Sequence, residues 1–463
     1  MAGQNFNDTD NSQQPGSEGR SVGGTEYSWC RAVPGGTGIT VLSLLLSKLP
    51  DISALQNALH KLQNSHPIFR SKLTHDPTTN TFSFAISPIP SLQIESFDVP
   101  FTSHLLQNNP LISPFHCVLE HELKRNPWSP KHEPPIHPDT ETVFASLYSL
   151  SDTKWVLALR FHTAVCDRTS AEFVLREMVR LVGDEKGIKT GKKGEVGLGI
   201  EELIPSGKAN KPFWARGIDL LGYSLNSFRF ANLEFLDTIS PRSSEVVRLQ
   251  MNSDDTTRLI TACKERGIKL SGALAAAGLI AAHSSKDLLN HHPEKYAVVT
   301  LIDCRSLLDP VLHSCHLGFY HSAILNTHDI KGGEDLWELA KRCYMSLSNS
   351  MDCNKHFSDM GDLNYLMCKA IDNPGFTPSS SLRTCFISVF ENPLIDDLND
   401  LCQEVGLEDY MGCSSVHSVG PSIAIFDTIR NGQLDCACVY PSPLHSREQM
   451  QKLIDNMKRI LVS

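Results

Sequence analysis

Apolar residues follow two different spacings along this chain, and together they predict a mixture of helices and strands. Residues 52–65 are apolar at helical spacing, with Asp51 as a cap and a stop at His66-Pro67. Another helix is predicted between residues 115 and 124. Strands are predicted where apolar runs are short or alternate with polar residues, at residues 25–32, 39–48, 81–86, 92–97, 142–150 and 154–163.

The second half of the chain has the same mixed pattern. A strand at residues 245–251 precedes helices at residues 253–266 and 271–284, and the latter is rich in small residues that allow close packing. Residues 426–440 predict two strands joined by an Asn-Gly hairpin turn, and residues 446–461 predict a closing helix. Helices interspersed with strands in both halves indicate an α/β fold.

Shifts in composition divide the chain into four predicted segments. Residues 1–21 are polar and nearly free of apolar side chains, so we expect a disordered tail. We predict a first lobe at residues 22–185, a linker and crossover at residues 186–244, and a second lobe at residues 245–463. Glycine and lysine dominate residues 183–199, which predicts a mobile surface linker, with lysine contacts to phosphate as the alternative.

The clearest chemical signal is RFHTAVCDRTS at residues 160–170. It follows an apolar strand and precedes an amphipathic helix, so its polar side chains lie at a strand-to-helix turn, where functional residues are common. A structural role is the alternative interpretation. Asp167 or Thr169 would then cap the helix, with Glu172 completing a capping box, and His162 would be a structural histidine at a strand end.

Residues 161–170 resemble the His-His-x-x-x-Asp-Gly motif of condensation domains and the His-x-x-x-Asp-Gly-x-Ser motif of BAHD-type acyltransferases. These families share the chloramphenicol-acetyltransferase fold. When the sequence is aligned on Asp167, His162 takes the place of the first histidine, Thr163 replaces the second, catalytic histidine, and Arg168 replaces the glycine. The resemblance therefore implies an atypical member of this superfamily.

Further stretches resemble family elements in the same order along the chain. Residues 64–70, NSHPIFR, resemble the element that follows the first helix, and residues 298–319 resemble the stretch behind the family's cleft. The DFGWG sequence of BAHD enzymes is absent. Residues 386–390, FISVF, take a comparable place and resemble the Ser-Asn-x-Gly strand of other branches, and residues 426–461 resemble the family's C-terminal hairpin and helix.

The resemblance implies two chloramphenicol-acetyltransferase-like lobes, each a mixed sheet flanked by helices, with a tunnel between them. It implies transfer of an acyl group from acyl-CoA to a hydroxyl or amine of a small molecule. Acyl-CoA would be a co-substrate, and neither a metal nor another cofactor would be needed. In the family, the second histidine is the general base that takes a proton from the acceptor.

The resemblance also implies roles for single residues. Asp167 would hold the turn rather than act on substrate, and Arg305 would be its partner from the second lobe. Ion pairs of Arg305 with the nearby Asp303 or Asp309 are an equally weighted alternative. Arg305 and Ser388 are the candidate substrate-binding residues.

The identity of the base is the main open point. Thr163 cannot accept a proton at neutral pH, so His162, the nearest imidazole, is the first candidate. Strand alternation nevertheless turns His162 away from the tunnel. A nucleophilic Cys166 beside His162 is a further alternative. A member that has lost acyl transfer, and binds small molecules or partners or uses its cleft for another reaction, is the second functional class.

Composition argues against several other classes of protein. A hydrophobic share of 41 % in 463 residues suffices for two lobe cores, and the net charge of −10 provides no basic surface for nucleic acid. The 14 cysteines lack a disulfide or zinc spacing, and the polar N-terminus lacks a signal core, so we expect a cytoplasmic protein. No apolar run reaches the ~18 residues of a membrane span. We expect a monomer.

Overall fold

The structure is a computed structural model, and it describes residues 19–48, 50–107, 112–129, 139–183, 197–212, 214, 216–217, 230–286, 292–396 and 403–463. Its strands are β1 (Gly19–Ser21), β2 (Thr37–Leu46), β3 (Ser71–Asp76), β4 (Thr81–Ile86), β5 (Ile94–Phe97), β6 (Asp139–Glu141), β7 (Val143–Ser151), β8 (Lys154–His162), β9 (Ser243–Gln250), β10 (Glu294–Asp303), β11 (His321–Ile330), β12 (Arg383–Phe390), β13 (Leu394–Asp396), β14 (Leu407–Val416), β15 (Gly420–Arg430) and β16 (Gln433–Ser442). Its α-helices include α1 (Gly24–Ala32), α2 (Ile52–Ser65), α3 (Val99–Gln107), α4 (Pro114–Lys124), α5 (Arg168–Gly183), α6 (Ser253–Glu265), α7 (Leu270–Ser284), α8 (Leu336–Asp352), α9 (Lys355–Ser358), α10 (Met360–Asp372) and α11 (Arg447–Val462).

The first lobe is built on a five-stranded sheet with the order β14-β2-β8-β7-β5. Neighbouring strands are antiparallel, except that β5 and β7 are parallel. The central strands β2 and β8 are buried along almost their whole length, which explains why their sequences are nearly continuous apolar runs. Because β14 comes from the second half of the chain, that half completes the first sheet. A smaller sheet with the order β1-β4-β3-β6 belongs to the same half as β2 and β8.

The second lobe is built on a sheet with the order β11-β10-β12-β15-β16-β9, and β13 pairs with β15. It is a mixed sheet, because β12 runs parallel to both β10 and β15 while the other pairs along this order are antiparallel. The small-residue helix α7 packs against α8 and α11. A Cβ on Gly278 would lie 2.6 Å from Cδ1 of Ile387, so a larger residue there would require the Ile387 side chain to shift. The α/β class and the two lobes of mixed sheets are as predicted.

Several predicted elements are confirmed together with their local causes. The α2 helix begins after Asp51, whose carboxylate accepts hydrogen bonds from the amides of Ser53 and Ala54 at 2.8 and 3.2 Å. Asn431 and Gly432 join β15 to β16 with φ angles of +53° and +72°. Two consecutive residues with positive φ match the twist of an antiparallel hairpin, as the Asn-Gly pair predicts.

The predicted strand at residues 25–32 is wrong, because the structure forms α1 there. The side chain of Glu26 accepts a hydrogen bond from the amide of Gly23 at 2.7 Å, and Glu201 accepts one from the amide of Thr25 at 2.6 Å. Carboxylates at these positions satisfy amides that have no partner inside a helix and complement its dipole. The second of them comes from a distant part of the sequence.

The predicted tail at residues 1–21 is too long by the three residues of β1, which pair with β4. Residues 1–18 lie outside the described part of the chain, as do residues 184–196 of the glycine and lysine stretch and residues 218–229 of the predicted crossover. The lobe boundaries at residues 185 and 245 stay predictions. None of the described helices combines the length and apolar character needed to cross a bilayer.

Candidate functional site

The motif turn connects β8 to α5 at the boundary between the lobes. His162 ends β8, a short 3-10 turn covers Thr163–Val165, and α5 begins at Arg168. Asp167 is the helix cap, since its Oδ1 accepts a hydrogen bond from the amide of Ser170 at 2.8 Å. The interpretation of Asp167 as a helix cap is therefore correct. The carboxylate of Asp167 also makes other contacts.

The carboxylate of Asp167 is also bound by the second lobe. Arg305 donates to Oδ2 at 2.9 Å and to Oδ1 at 3.0 Å, which confirms the predicted partner. The Tyr320 amide and Nδ1 of His321 each contact Oδ2 at 2.9 Å. Arg305 also meets Asp303 at 3.1 Å, so one of the two local alternatives is present as well.

These contacts decide which atoms of Asp167 and His321 accept and donate the hydrogen bond between them. Burial alone would raise the pKa of the Asp167 carboxyl, but Arg305 and His321 outweigh it and hold that pKa well below its usual range. Asp167 is therefore ionised and can only accept hydrogen bonds. It follows that Nδ1 of His321 donates a proton to this hydrogen bond, and in the neutral imidazole the lone pair is then on Nε2.

A cavity of about 720 Å³ runs between the two lobes. Thr163 and Asp167 contribute to its wall from the motif turn, and His321 and Ser388 contribute from the second sheet. Most of the remaining wall is apolar, with side chains from both lobes. Its larger apolar side chains include Trp29, Leu42, Leu175, Phe319, Leu325, Leu363, Met367, Phe376 and Phe390.

Thr163, at the family's base position, is tied into a chain of hydroxyl groups. Its Oγ1 donates to the carbonyl of Gly38 at 2.6 Å and lies 2.7 Å from Oγ1 of Thr40, which lies 2.7 Å from Oγ of Ser414. Because the Thr163 hydroxyl donates its proton to the Gly38 carbonyl, the Thr40 hydroxyl must donate to Thr163. The Ser414 hydroxyl must in turn donate to Thr40. The chain therefore presents only lone pairs, and Thr163 is neither a base at neutral pH nor a donor to an oxyanion.

The structure does not support His162 as the base. Its ring is buried 5.2 Å from the Trp128 ring, and among the described residues it is not part of the cavity wall. Nδ1 accepts a hydrogen bond from the Ala164 amide at 3.2 Å, and burial lowers the pKa of His162 from 6.5 to about 3. The alternation along β8 that turns this side chain away from the tunnel is thus the stronger of the two sequence arguments.

Two other sequence candidates also have structural positions. Arg305 contacts the Asp167 carboxylate and is not among the residues that line the cavity, and its role in substrate binding stays a prediction. Cys166 is fully buried, and burial together with the charge of Asp167 raises the pKa of its thiol well above the usual range. A buried thiol of this kind is a poor nucleophile. The part of the chain that the structure describes contains no group of side chains able to hold a metal ion.

Arg168, which replaces the motif glycine, crosses from α5 to the second sheet. Its guanidinium lies 3.1 Å from the carboxylate of Asp427, donates to the Asp427 carbonyl, and lies 4.1 Å from the centre of the Phe390 ring. Arg168 is also part of the cavity wall. It therefore occupies space that a glycine would leave open, and it adds a further ion pair between the lobes.

Sequence reasoning missed His321, Thr40 and Ser414. His321 follows closely after residues 298–319, which resemble the stretch behind the family's cleft, so a search for imidazoles just beyond that stretch would have found it. The hydroxyls of Thr40 and Ser414 lie on neighbouring strands, β2 and β14, whose pairing has no local signal in the sequence.

The two-lobed fold, with the motif turn at the lobe boundary, is the fold of condensation domains and related acyltransferases. More particularly, residues 240–352 match the family model described as the phthiocerol/phthiodiolone dimycocerosyl transferase C-terminus. No curated protein sequence gives a significant match to the chain.

Solved structures share this fold at low sequence identity. The trichothecene 15-O-acetyltransferase from Fusarium sporotrichioides has a TM-score of 0.68 at 12 % identity, over 96 % of this chain and 94 % of that one. The EpoB cyclization-docking bidomain from Sorangium cellulosum has a TM-score of 0.67 at 13 % identity, over 96 % and 85 %. The condensation domain of the Monacolin K polyketide synthase has a TM-score of 0.61 at 10 % identity, over 96 % of both chains. At such identities the likeness is one of fold.

Proposed function

We propose that this chain transfers an acyl group from a thioester, in the first instance acyl-CoA, to a hydroxyl or amine of a largely apolar small molecule. It acts as a cytoplasmic monomer, with acyl-CoA as a co-substrate and without a metal or prosthetic group. The observation that carries the proposal is the position of the motif turn, because Thr163 and Asp167 lie in the wall of a cavity that both lobes line. Its volume of about 720 Å³ is typical of small-molecule sites.

The wall of the cavity supports an apolar substrate. Phe319, Leu325, Met367 and Phe376 line it, and burying an apolar molecule against such side chains is favourable. Ser388 supplies one of the polar groups of the wall, and we propose that its hydroxyl orients the acceptor. The likeness to a trichothecene 15-O-acetyltransferase supports an oxygen atom as the acceptor.

The reaction itself needs positioning and one proton transfer. The acceptor oxygen or nitrogen attacks the thioester carbonyl, and a well-placed base contributes about 10²–10⁴-fold in rate. Thr163 cannot be that base. Acyl transfer in this cavity therefore depends on another proton acceptor.

The test is a screen of purified protein with donors and acceptors varied independently. Donors are acyl-CoA thioesters from acetyl to long-chain, and the same acyl groups on N-acetylcysteamine, which lacks the nucleotide of coenzyme A. Acceptors are apolar alcohols and amines. We expect thiol release that depends on the acceptor, together with a product whose mass equals acceptor plus acyl group. Absence of product with every pair would contradict the proposal.

Ala323 offers a control for where the reaction takes place. Its side chain lies in the cavity wall on β11. Ala323→Phe should lower activity most for the largest acceptors, whereas Ala323→Ser, which nearly keeps the volume, should change it little. Equal activity of both variants toward every acceptor would place the reaction elsewhere.

Binding without acyl transfer is the second candidate function, and the hydroxyl chain at Thr163 favours it because this position lacks the family's imidazole. A protein of this kind should gain thermal stability from apolar ligands and release no thiol from any donor. Loss of the ligand-induced stabilisation in Ala323→Phe would then assign the cavity as a binding site only.

A further inference from the structure

We propose that His321 is the general base of the reaction, supplied to the motif aspartate by the opposite lobe. This inference rests on the proposed function, and it names the proton acceptor that the motif lacks at Thr163. His321 begins β11 in the second sheet, whereas the motif turn belongs to the first lobe. Asp167 belongs to the motif turn and also contacts His321.

The ring of His321 is held in one orientation. Its Nδ1 lies 2.9 Å from Oδ2 of Asp167, and its ring packs at 87° to the Phe390 ring, 5.8 Å between centres. The ring of Phe319 lies on another side at 6.1 Å. The residue is 4 % exposed, so the imidazole is fixed by its neighbours rather than by solvent. A fixed imidazole suits a base that must meet the acceptor in one geometry.

The partners of Asp167 make His321 a proton acceptor. Arg305 keeps the carboxylate ionised, so Asp167 accepts the hydrogen bond from Nδ1–H, and the lone pair of the neutral ring is on Nε2. His321 lines the cavity, and Nε2 is therefore the nitrogen available to an acceptor there. An ionised carboxylate behind an imidazole also stabilises the imidazolium that forms when the base takes a proton.

The step balances without a further reactant. Nε2 of His321 takes the proton from the acceptor hydroxyl or amine while the acceptor atom forms a bond to the thioester carbonyl carbon. The tetrahedral intermediate then breaks its carbon–sulfur bond, and the Nε2 proton passes to the leaving thiolate. The products are an ester or amide and a free thiol, and His321 returns to its starting tautomer.

The other buried histidines lack these features. Among the histidines that the structure describes, His321 alone lines the cavity. His162 caps the motif turn on the far side of the sheet and contacts Trp128. His328 lies on the same strand as His321 and is 5 % exposed, which makes it a matched control for loss of a buried imidazole outside the cavity.

The experiment measures kcat for wild type, His321→Ala and His328→Ala, with and without added imidazole, on the donor and acceptor pair found in the screen. We expect His321→Ala to lose about 10²–10⁴-fold in kcat and to regain at least tenfold of it with imidazole. His328→Ala should stay within about threefold of wild type and show no rescue. If His321→Ala does not fold, His321→Gln is used instead. The loss in kcat of His321→Gln is then measured together with its affinity for the donor, which should equal that of the wild type.

Each other outcome overturns the inference in a distinguishable way. Wild-type transfer with a His321→Ala variant within threefold of it would remove His321 as the base and leave the proposed function standing. A loss that imidazole does not restore, in a folded variant, would assign His321 a structural role. Absence of transfer by the wild-type protein with every pair would overturn the proposed function and this assignment together.

Discussion

Asp167 and Arg305 join the two lobes through two hydrogen bonds, at 2.9 and 3.0 Å, in which each oxygen of the carboxylate accepts one. Both side chains are buried, so neither charge has water as a substitute partner. Removing one member of a buried pair leaves the other uncompensated, whereas an exposed pair contributes little. The pair thus couples the stability of the fold to the geometry of the motif turn.

Loss of either charge should therefore destabilise the fold. We expect Asp167→Asn and Arg305→Met each to lower the free energy of unfolding by about 3–5 kcal/mol, measured by urea denaturation. Arg180→Met removes a more exposed ion pair, with Glu177, and should cost less than about 1 kcal/mol. Equal, small losses for all three variants would show that the interlobe pair does not stabilise the protein.

The buried imidazole of His162 predicts a pH dependence of stability. Its pKa is about 3 in the folded protein against 6.5 without burial, so below pH 6.5 the unfolded chain binds a proton that the folded protein does not. Stability from this residue is thus complete above pH 6.5 and falls as the pH drops toward 3. Between pH 6.5 and 5 the loss is about 2 kcal/mol.

His162→Phe keeps an aromatic ring but removes this titration. We expect urea denaturation at the two pH values to show a stability difference that is about 2 kcal/mol smaller in the variant than in the wild type. Acyl transfer by the folded variant should persist, because His162 does not line the cavity among the described residues. An unchanged pH dependence, or loss of activity in a folded variant, would contradict this role.

The hydroxyl of Thr163 is expected to matter for structure more than for catalysis. Thr163→Val keeps the shape but leaves the Gly38 carbonyl and the Thr40 hydroxyl without their partner, at a cost of about 1–3 kcal/mol in the free energy of unfolding. Thr163→Ser keeps the hydroxyl and is the control. A loss of kcat in Thr163→Val beyond about 10²-fold, the lower limit for a base, would assign this hydroxyl a catalytic role.

Arg168 is expected to limit the size of the cavity and to stabilise the lobe boundary. Arg168→Gly restores the family's residue but leaves Asp427 buried, where burial raises the pKa of its carboxyl and, among the described side chains, Arg168 alone opposes that rise. The single variant should lose about 3–5 kcal/mol in the free energy of unfolding, and adding Asp427→Asn should recover part of it. If the single and double variants are equally stable, the two residues do not act as a pair. In Arg168→Gly, the rate of acyl transfer to large acceptors should also rise relative to the rate for small acceptors.

The elements that the sequence predicted are those with local causes. The α2 helix follows from the Asp51 cap and the spacing of its apolar residues, and the final hairpin follows from Asn431-Gly432. The α1 helix was missed because Glu201, which accepts from the Thr25 amide, lies 176 positions away. The pairing of β14 with β2 could not be predicted for the same reason, since it joins residues from opposite ends of the chain.

The same distinction between local and long-range causes applies to the residues of the candidate site. The pair of Asp167 and Arg305 was predictable because a buried guanidinium requires a carboxylate, and the motif offered one. The contact of His321 with that carboxylate joins residues 154 positions apart and has no pattern of its own in the sequence. The neighbouring His162 was more conspicuous, although the alternation of the strand already directed it away from the cavity.

The position of the proton on the His321 ring decides whether this residue can act as the base, and it can be measured without knowing the substrate. Nitrogen NMR of the wild-type protein labelled with 15N in its histidine rings reports this position, and comparison with His321→Gln identifies the signal. We expect a proton on Nδ1, an unprotonated Nε2, and a change in both signals in Asp167→Asn. A ring that carries its proton on Nε2 would rule out His321 as the base, because that nitrogen could not then accept a proton from the acceptor.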